Sequence, residues 1–123
     1  MPFPHRPGIN KAFALGRLPA GTMNGTESRY ASLLEVRKRA GEIQWYAFEM
    51  VTIKLAADTR YTPDFCVMIA NGELEFHETK GRMQDDALAK IKVAARLFPA
   101  RFYLIYAKPK KLGGGWDVQE VAA

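Results

Sequence analysis

Two apolar segments meet at Asn71-Gly72, and each carries a charged group at its far end. No other feature constrains the fold of this chain as strongly. The first segment is Thr62-Pro63-Asp64-Phe65-Cys66-Val67-Met68-Ile69, and the second is Leu74-Glu75-Phe76-His77-Glu78-Thr79-Lys80. Aromatic and β-branched residues around a tight-turn dipeptide predict a hairpin of two strands. Alternation along the second strand puts Glu78 and Lys80 on the same face as Leu74 and Phe76. An apolar face that ends in a carboxylate and an ammonium is costly unless the charges have partners. A divalent cation held by Asp64 and Glu78, with Lys80 beside it, would supply them.

Pro63-Asp64 followed by Glu78-Thr79-Lys80 resembles the bipartite active-site motif of the PD-(D/E)XK nuclease superfamily. The resemblance spans residues 26–106 and is to short phage-encoded endonucleases, including those of Holliday-junction-resolvase type. It implies an α/β fold with a restriction-endonuclease-like core (αβββαβ) and a mixed central sheet flanked by helices. It also implies a metal-dependent DNA endonuclease, selective for junction or branched DNA, acting in phage recombination and DNA processing. The implied cofactor is Mg2+, with Mn2+ able to substitute. Asp64 and Glu78 would be ligands, with the Thr79 carbonyl as a third. Lys80 would orient the attacking water or stabilise charge on the phosphate. These nucleases usually begin their core with a helix that adds an acid, and Glu27 is placed for that role as a further catalytic and metal-binding residue.

The rest of the chain fits one domain. Residues 1–25 are rich in Pro, Gly and basic residues without helical or strand period, and read as a basic, mobile arm carrying Arg6, Lys11 and Arg17. The nuclease-like domain is expected over 26–123. A helix begins after Asn24 or Thr26, with Glu27 in its first turn and Arg37, Lys38 and Arg39 in its last, and stops at Gly41. Its favourable position at the helix start explains Glu27 without any chemistry. Residues 43–55 suggest a strand broken near Glu49-Met50, 56–60 a connection, 61–69 a strand buried on both faces, and 73–80 a third strand. A helix over 84–98 ends at Pro99. A central apolar strand at 102–106, a basic Gly-rich loop and a short final strand at 116–121 complete the chain. Gly113-Gly114-Gly115 lacks the pattern of a phosphate-binding loop and reads as a hairpin loop.

The turn controls whether the two carboxylates can meet. With Asn71-Gly72 as a two-residue loop, Ala70 pairs with Glu73 and Asp64 faces Thr79. Asp64 and Glu78 then point to opposite sides of the sheet. With Ala70-Asn71-Gly72 as a three-residue loop closed by a left-handed glycine, Asp64 lies opposite Glu78 on one face. A shared cation selects the second register, and a bulge at Pro63-Asp64 would achieve the same result.

The net charge of +5, from 18 Lys and Arg against 13 Asp and Glu, favours a polyanionic partner. Arg82, Lys90 and Lys92, after the motif, join Arg6 and Lys11 as candidate DNA contacts. Two histidines and one cysteine cannot furnish the usual four-ligand zinc site. His77 alternates away from Glu78 and reads as a sheet-surface histidine, and Cys66 as a small buried hydrophobe. The expected partners are DNA and a second copy of the chain, because a four-way junction has two equivalent strands to cut. No membrane and no small-molecule cofactor is expected, and the expected compartment is the cytoplasm of a phage host or other bacterial cell. The competing readings are a catalytically silent nucleic-acid-binding or adaptor protein with a nuclease fold, and a nuclease subunit of a larger recombination or transposition assembly.

Overall fold

The computed structural model describes residues 21–80 and 85–122. The arm positions Arg6, Lys11 and Arg17, and Arg82 after the motif, lie outside the described residues. Within them, no helix is long and apolar enough to cross a membrane.

The described chain is α/β. Helix α1 (Gly25–Arg39) leads into β1 (Ile43–Phe48), β2 (Ile53–Ala56), β3 (Thr59–Tyr61), β4 (Phe65–Ile69) and β5 (Leu74–Lys80). Helix α2 (Asp85–Leu97), β6 (Arg101–Ala107), a short 3-10 turn at Lys110–Leu112 and β7 (Trp116–Glu120) follow. Five strands form one mixed sheet in the order β1-β4-β5-β6-β7, and β2 and β3 form a separate two-stranded ribbon. Only β5 and β6 run parallel within the sheet, joined through α2.

Local chemistry explains α1. Asn24 is its N-cap: the side chain accepts the Glu27 N–H at 2.8 Å, and the Glu27 carboxylate accepts the Asn24 N–H at 2.8 Å. This capping box satisfies donors that a helix start leaves open. Tyr30 and Leu34, four residues apart, are the buried residues of the helix.

The sheet divides two cores. Beneath α1 lie Tyr30, Leu34, Ile43, Phe65, Val67 and Ile105. On the opposite face, Tyr61, Cys66, Phe76, Ile91, Phe102 and Leu104 pack with α2 and the ribbon. Phe65, Cys66 and Val67 alternate between these cores, which is why β4 is a continuous apolar run. The expected strand over 43–55 is two strands of different sheets. Glu49, with φ of 49°, sits at the break and lets the chain leave the sheet after β1. The expected connection at 56–60 contributes Ala56 to β2 and Thr59 and Arg60 to β3. The expected strand over 61–69 is interrupted at residues 62–64, between β3 and β4.

Candidate active site

Phe65 pairs with His77, Cys66 with Phe76, Val67 with Glu75 and Met68 with Leu74. The Ile69 N–H donates to the Glu73 carbonyl, and the Gly72 N–H to the Ile69 carbonyl, both at 2.9 Å. Gly72 has φ of 92°. The loop is therefore Ala70-Asn71-Gly72 with a left-handed third residue, a conformation glycine adopts without strain. The three-residue loop is thus the observed one; Phe65–His77 is the last pair of the ladder, and Asp64 sits one residue beyond it, in the bend that leads into β4, where the same register would set it against Glu78.

The proline before Asp64 then acquires a physical role. Ile69–Glu73 is a hydrogen-bonded pair, so by alternation Phe65–His77 is another and Pro63–Thr79 would be the next. Pro63 has no N–H to offer the Thr79 carbonyl. The Thr79 N–H instead donates to Asp64 Oδ2 at 2.9 Å, and the Thr79 hydroxyl donates to the same oxygen at 2.9 Å. A strand residue presents its N–H and C=O to the same edge, so the Thr79 carbonyl faces the Asp64 side.

Glu78 is held as closely. Its Oε1 accepts the Tyr61 hydroxyl at 2.7 Å and the Asp64 N–H at 3.2 Å. Its Oε2 lies 3.4 Å from Lys80 Nζ. The backbone of Asp64 is fixed from the residue that follows β1: the Glu49 N–H donates to the Asp64 carbonyl at 2.8 Å. Asp64 and Glu78 are each 8% exposed.

Two carboxyl groups so close and so buried cannot both ionise cheaply. Burial, and then the Glu78 charge, push the Asp64 carboxyl up to about 8, while the Thr79 N–H opposes them and the Glu27 charge adds a smaller push upward. Burial also raises Glu78, against the Tyr61 hydrogen bond and the Lys80 charge, which lower it. Burial raises the Tyr61 hydroxyl far above the ordinary phenol range, with the Glu78 charge adding to the effect, so it is a fixed donor. Hard oxygen donors in a charge-repelled pair suit a divalent cation, and Asp64, Glu78 and the Thr79 carbonyl are the atoms that could hold one. Among the described residues, no group of three or more His, Cys, Asp and Glu side chains is arranged to hold a metal.

Glu27 is half-buried in the first turn of α1 and is felt electrostatically by Asp64. Its carboxylate is engaged in the capping box rather than gathered with Asp64 and Glu78. Lys90 is half-buried on α2, and Lys92 is exposed on the wall of a groove between α2 and β7.

His77 corrects an expectation. It does face away from Glu78, but it is not a sheet-surface residue: it is 4% exposed beneath α1. His77 Nδ1 lies 2.6 Å from the Tyr30 hydroxyl and Nε2 lies 3.0 Å from Glu75 Oε1. The alternation identified the face correctly, but α1 packs over that face, a fact of tertiary packing.

Tyr61 is the site residue that reading the sequence missed. It stands at the head of the interrupted run, three residues before Asp64, and looked like ordinary strand material. Compared with known family models, curated proteins and solved structures, the chain matches none of them.

Proposed function

We propose that this protein is a metal-dependent DNA endonuclease of PD-(D/E)XK type, with a restriction-endonuclease-like core and selectivity for branched DNA. One observation carries the reading: Asp64 and Glu78 are both buried and held together, Glu78 Oε1 accepting the Asp64 N–H at 3.2 Å, with Lys80 Nζ 3.4 Å from Glu78. The element order supports it. Helix α1, the antiparallel strands β1, β4 and β5, helix α2 and the parallel strand β6 follow an αβββαβ order, with the ribbon β2–β3 inserted after the first strand.

Asp64, Glu78 and the Thr79 carbonyl would hold Mg2+ or Mn2+, and Glu27 would stand at the edge of the site to orient water or a second ion. Such a cation, when bound, lowers the pKa of water and polarises a phosphate. Thr79 keeps Asp64 turned into the site, and Tyr61 does the same for Glu78. Lys80 would turn its ammonium from Glu78 toward the negative charge that develops on the phosphate. A protein of this kind would serve recombination and processing of phage DNA.

The capping-box contact of Glu27 favours one second reading, a catalytically silent nucleic-acid-binding protein with the same fold. Incubation with labelled four-way junction, flap and duplex DNA in Mg2+ or Mn2+ separates the two. Cleavage is expected, and Asp64→Ala, Glu78→Ala and Lys80→Ala should each lower it on the order of a thousandfold while the fold survives. Full activity of Asp64→Ala or Glu78→Ala would overturn the mechanism. Binding without cleavage by any metal would select the silent protein.

A further inference from the structure

A groove of about 550 Å³ runs between α2 and β7. It lies on the same sheet face as Glu78 and Lys80. Leu104 pairs with Glu78 and Tyr106 pairs with Lys80 across the β5–β6 ladder, and both line the groove. Neighbouring strands lie about 4.8 Å apart, so the groove floor begins one strand away from the site.

We propose that this groove holds a single nucleic-acid strand and leads it to the Asp64–Glu78 site, so that the substrate class is DNA with an unpaired strand, such as a flap or a splayed arm. The assignment of that strand as substrate rests on the nuclease reading above.

Charge selects a polyanion. Lys92 and Arg96, one helical turn apart on α2, line the same wall. Glu120 also borders the groove, but it pairs with Tyr103, whose side chain belongs to the α1 face, and its carboxylate lies 3.8 Å from Arg101 on that face. Of the charged residues that line the groove, Lys92 and Arg96 are thus the ones whose side chains stand on its side of the sheet. Asp117, which pairs with Tyr106, lies 3.4 Å from Lys108 and is outside the lining.

Shape selects one strand rather than two. The volume is that of a small-ligand pocket, enough to enclose about one or two nucleotides and too small to enclose a duplex. The remaining lining suits bases: half-buried Tyr106 puts an aromatic residue on the floor, the Gln119 amide can meet a base edge, and Leu88 and Val121 supply apolar walls. A basic wall beside an aromatic platform is how sequence-tolerant single-strand sites are built.

The test is fluorescence polarisation of a labelled oligothymidylate and a labelled blunt duplex, in EDTA so that nothing is cut. The oligothymidylate should bind more tightly than the duplex. Lys92→Ala/Arg96→Ala should weaken it roughly tenfold and make its salt slope shallower by about 1.4, since each single-strand phosphate contact contributes about 0.7. Gln119→Glu, on an exposed strand position, should also weaken binding by facing phosphates with a carboxylate, and it guards against misfolding of the double variant. Lys54→Ala/Arg60→Ala, exposed on the β2–β3 ribbon and outside the groove lining, should bind like wild type. Unchanged binding by both groove variants, equal loss in the ribbon variant, or a duplex bound as tightly as the oligothymidylate would overturn the proposal. Failure of the nuclease reading shows separately, as intact groove binding without metal-dependent cleavage.

Discussion

At the scale of single residues, the site is a pair of buried acids held by the donors around them. Asp64 is raised to about 8 from an ordinary 3.8, first by burial and then by Glu78. The fold therefore favours its neutral form, and unfolding releases that proton. The stability so gained is complete below about pH 4 and is lost as pH rises toward about 8. Asp64→Asn keeps an oxygen for the two Thr79 donors without the charge. It should raise the melting temperature of the metal-free protein on the order of 5 °C at pH 8, and by much less at pH 5. Added Mg2+ should stabilise the wild type at pH 8 and leave the Asn variant unmoved. Equal melting temperatures of the two proteins at both pH values would show that the pair is not strained. Tyr61→Phe tests the other carboxylate. It removes the 2.7 Å hydrogen bond to Glu78 inside the core, where a bond to a charged group contributes about 2 kcal/mol. Urea denaturation at pH 7 should show a loss of that size, and on the proposed nuclease reading metal-dependent cleavage should fall as well, because Glu78 is no longer oriented.

At the scale of elements, the β4–β5 hairpin is the device that assembles the site. Its register depends on a residue at φ 92° with open space around it, so an added Cβ at Gly72 meets no neighbour and only the backbone objects. Gly72→Ala should cost about 1–2 kcal/mol in equilibrium unfolding, the price of a left-handed alanine, and Gly72→Asn should cost less. No loss in the alanine variant would mean that the turn relaxes to another geometry. The hairpin was readable because Asn71-Gly72 permits two loops and the carboxylates can share a face in one of them. The break after β1 was only half readable. A register shift between Ile43 and Trp45 sends Ile43 to the α1 core and Trp45 to the other, which blurs the alternation on which a strand assignment depends. The ribbon β2–β3 was not visible because its pairing is with itself, across a connection that looked like a plain loop.

At the scale of the whole molecule, one sheet separates two tasks. The α1 side is a structural core sealed by the Tyr30–His77 contact, and the α2 side carries the carboxylates and the groove. The sheet ends in β1 and β7, each paired on one side only among the described residues. β7 is exposed along most of its length, with Val118 at 58%. On the proposed nuclease reading, one site per chain would not cut two junction strands together, so paired incision would call for a two-fold dimer. Sedimentation at micromolar concentration, with and without junction DNA, should give the mass of a dimer in at least the DNA-bound state. A monomer in both would rule out the paired-resolvase version and leave a nickase.

Sequence by itself determined the local features: a helix capped at Asn24 or Thr26, a tight turn at Asn71-Gly72 that admits a three-residue loop, the two-sided burial of β4, and a spacing that lets Asp64 meet Glu78. These follow from backbone geometry and short-range alternation, which any stretch of chain obeys wherever it packs. Tertiary structure alone decided which groups surround the pair. Tyr61 reaches Glu78 because the ribbon folds over the sheet, and His77 is buried because α1 crosses its face. Lys92 and Arg96 share a groove with Tyr106 and Gln119 because α2 lies beside an edge strand some twenty residues further on. Such contacts join residues far apart in the chain, and no periodicity within one segment encodes what another segment will place against it.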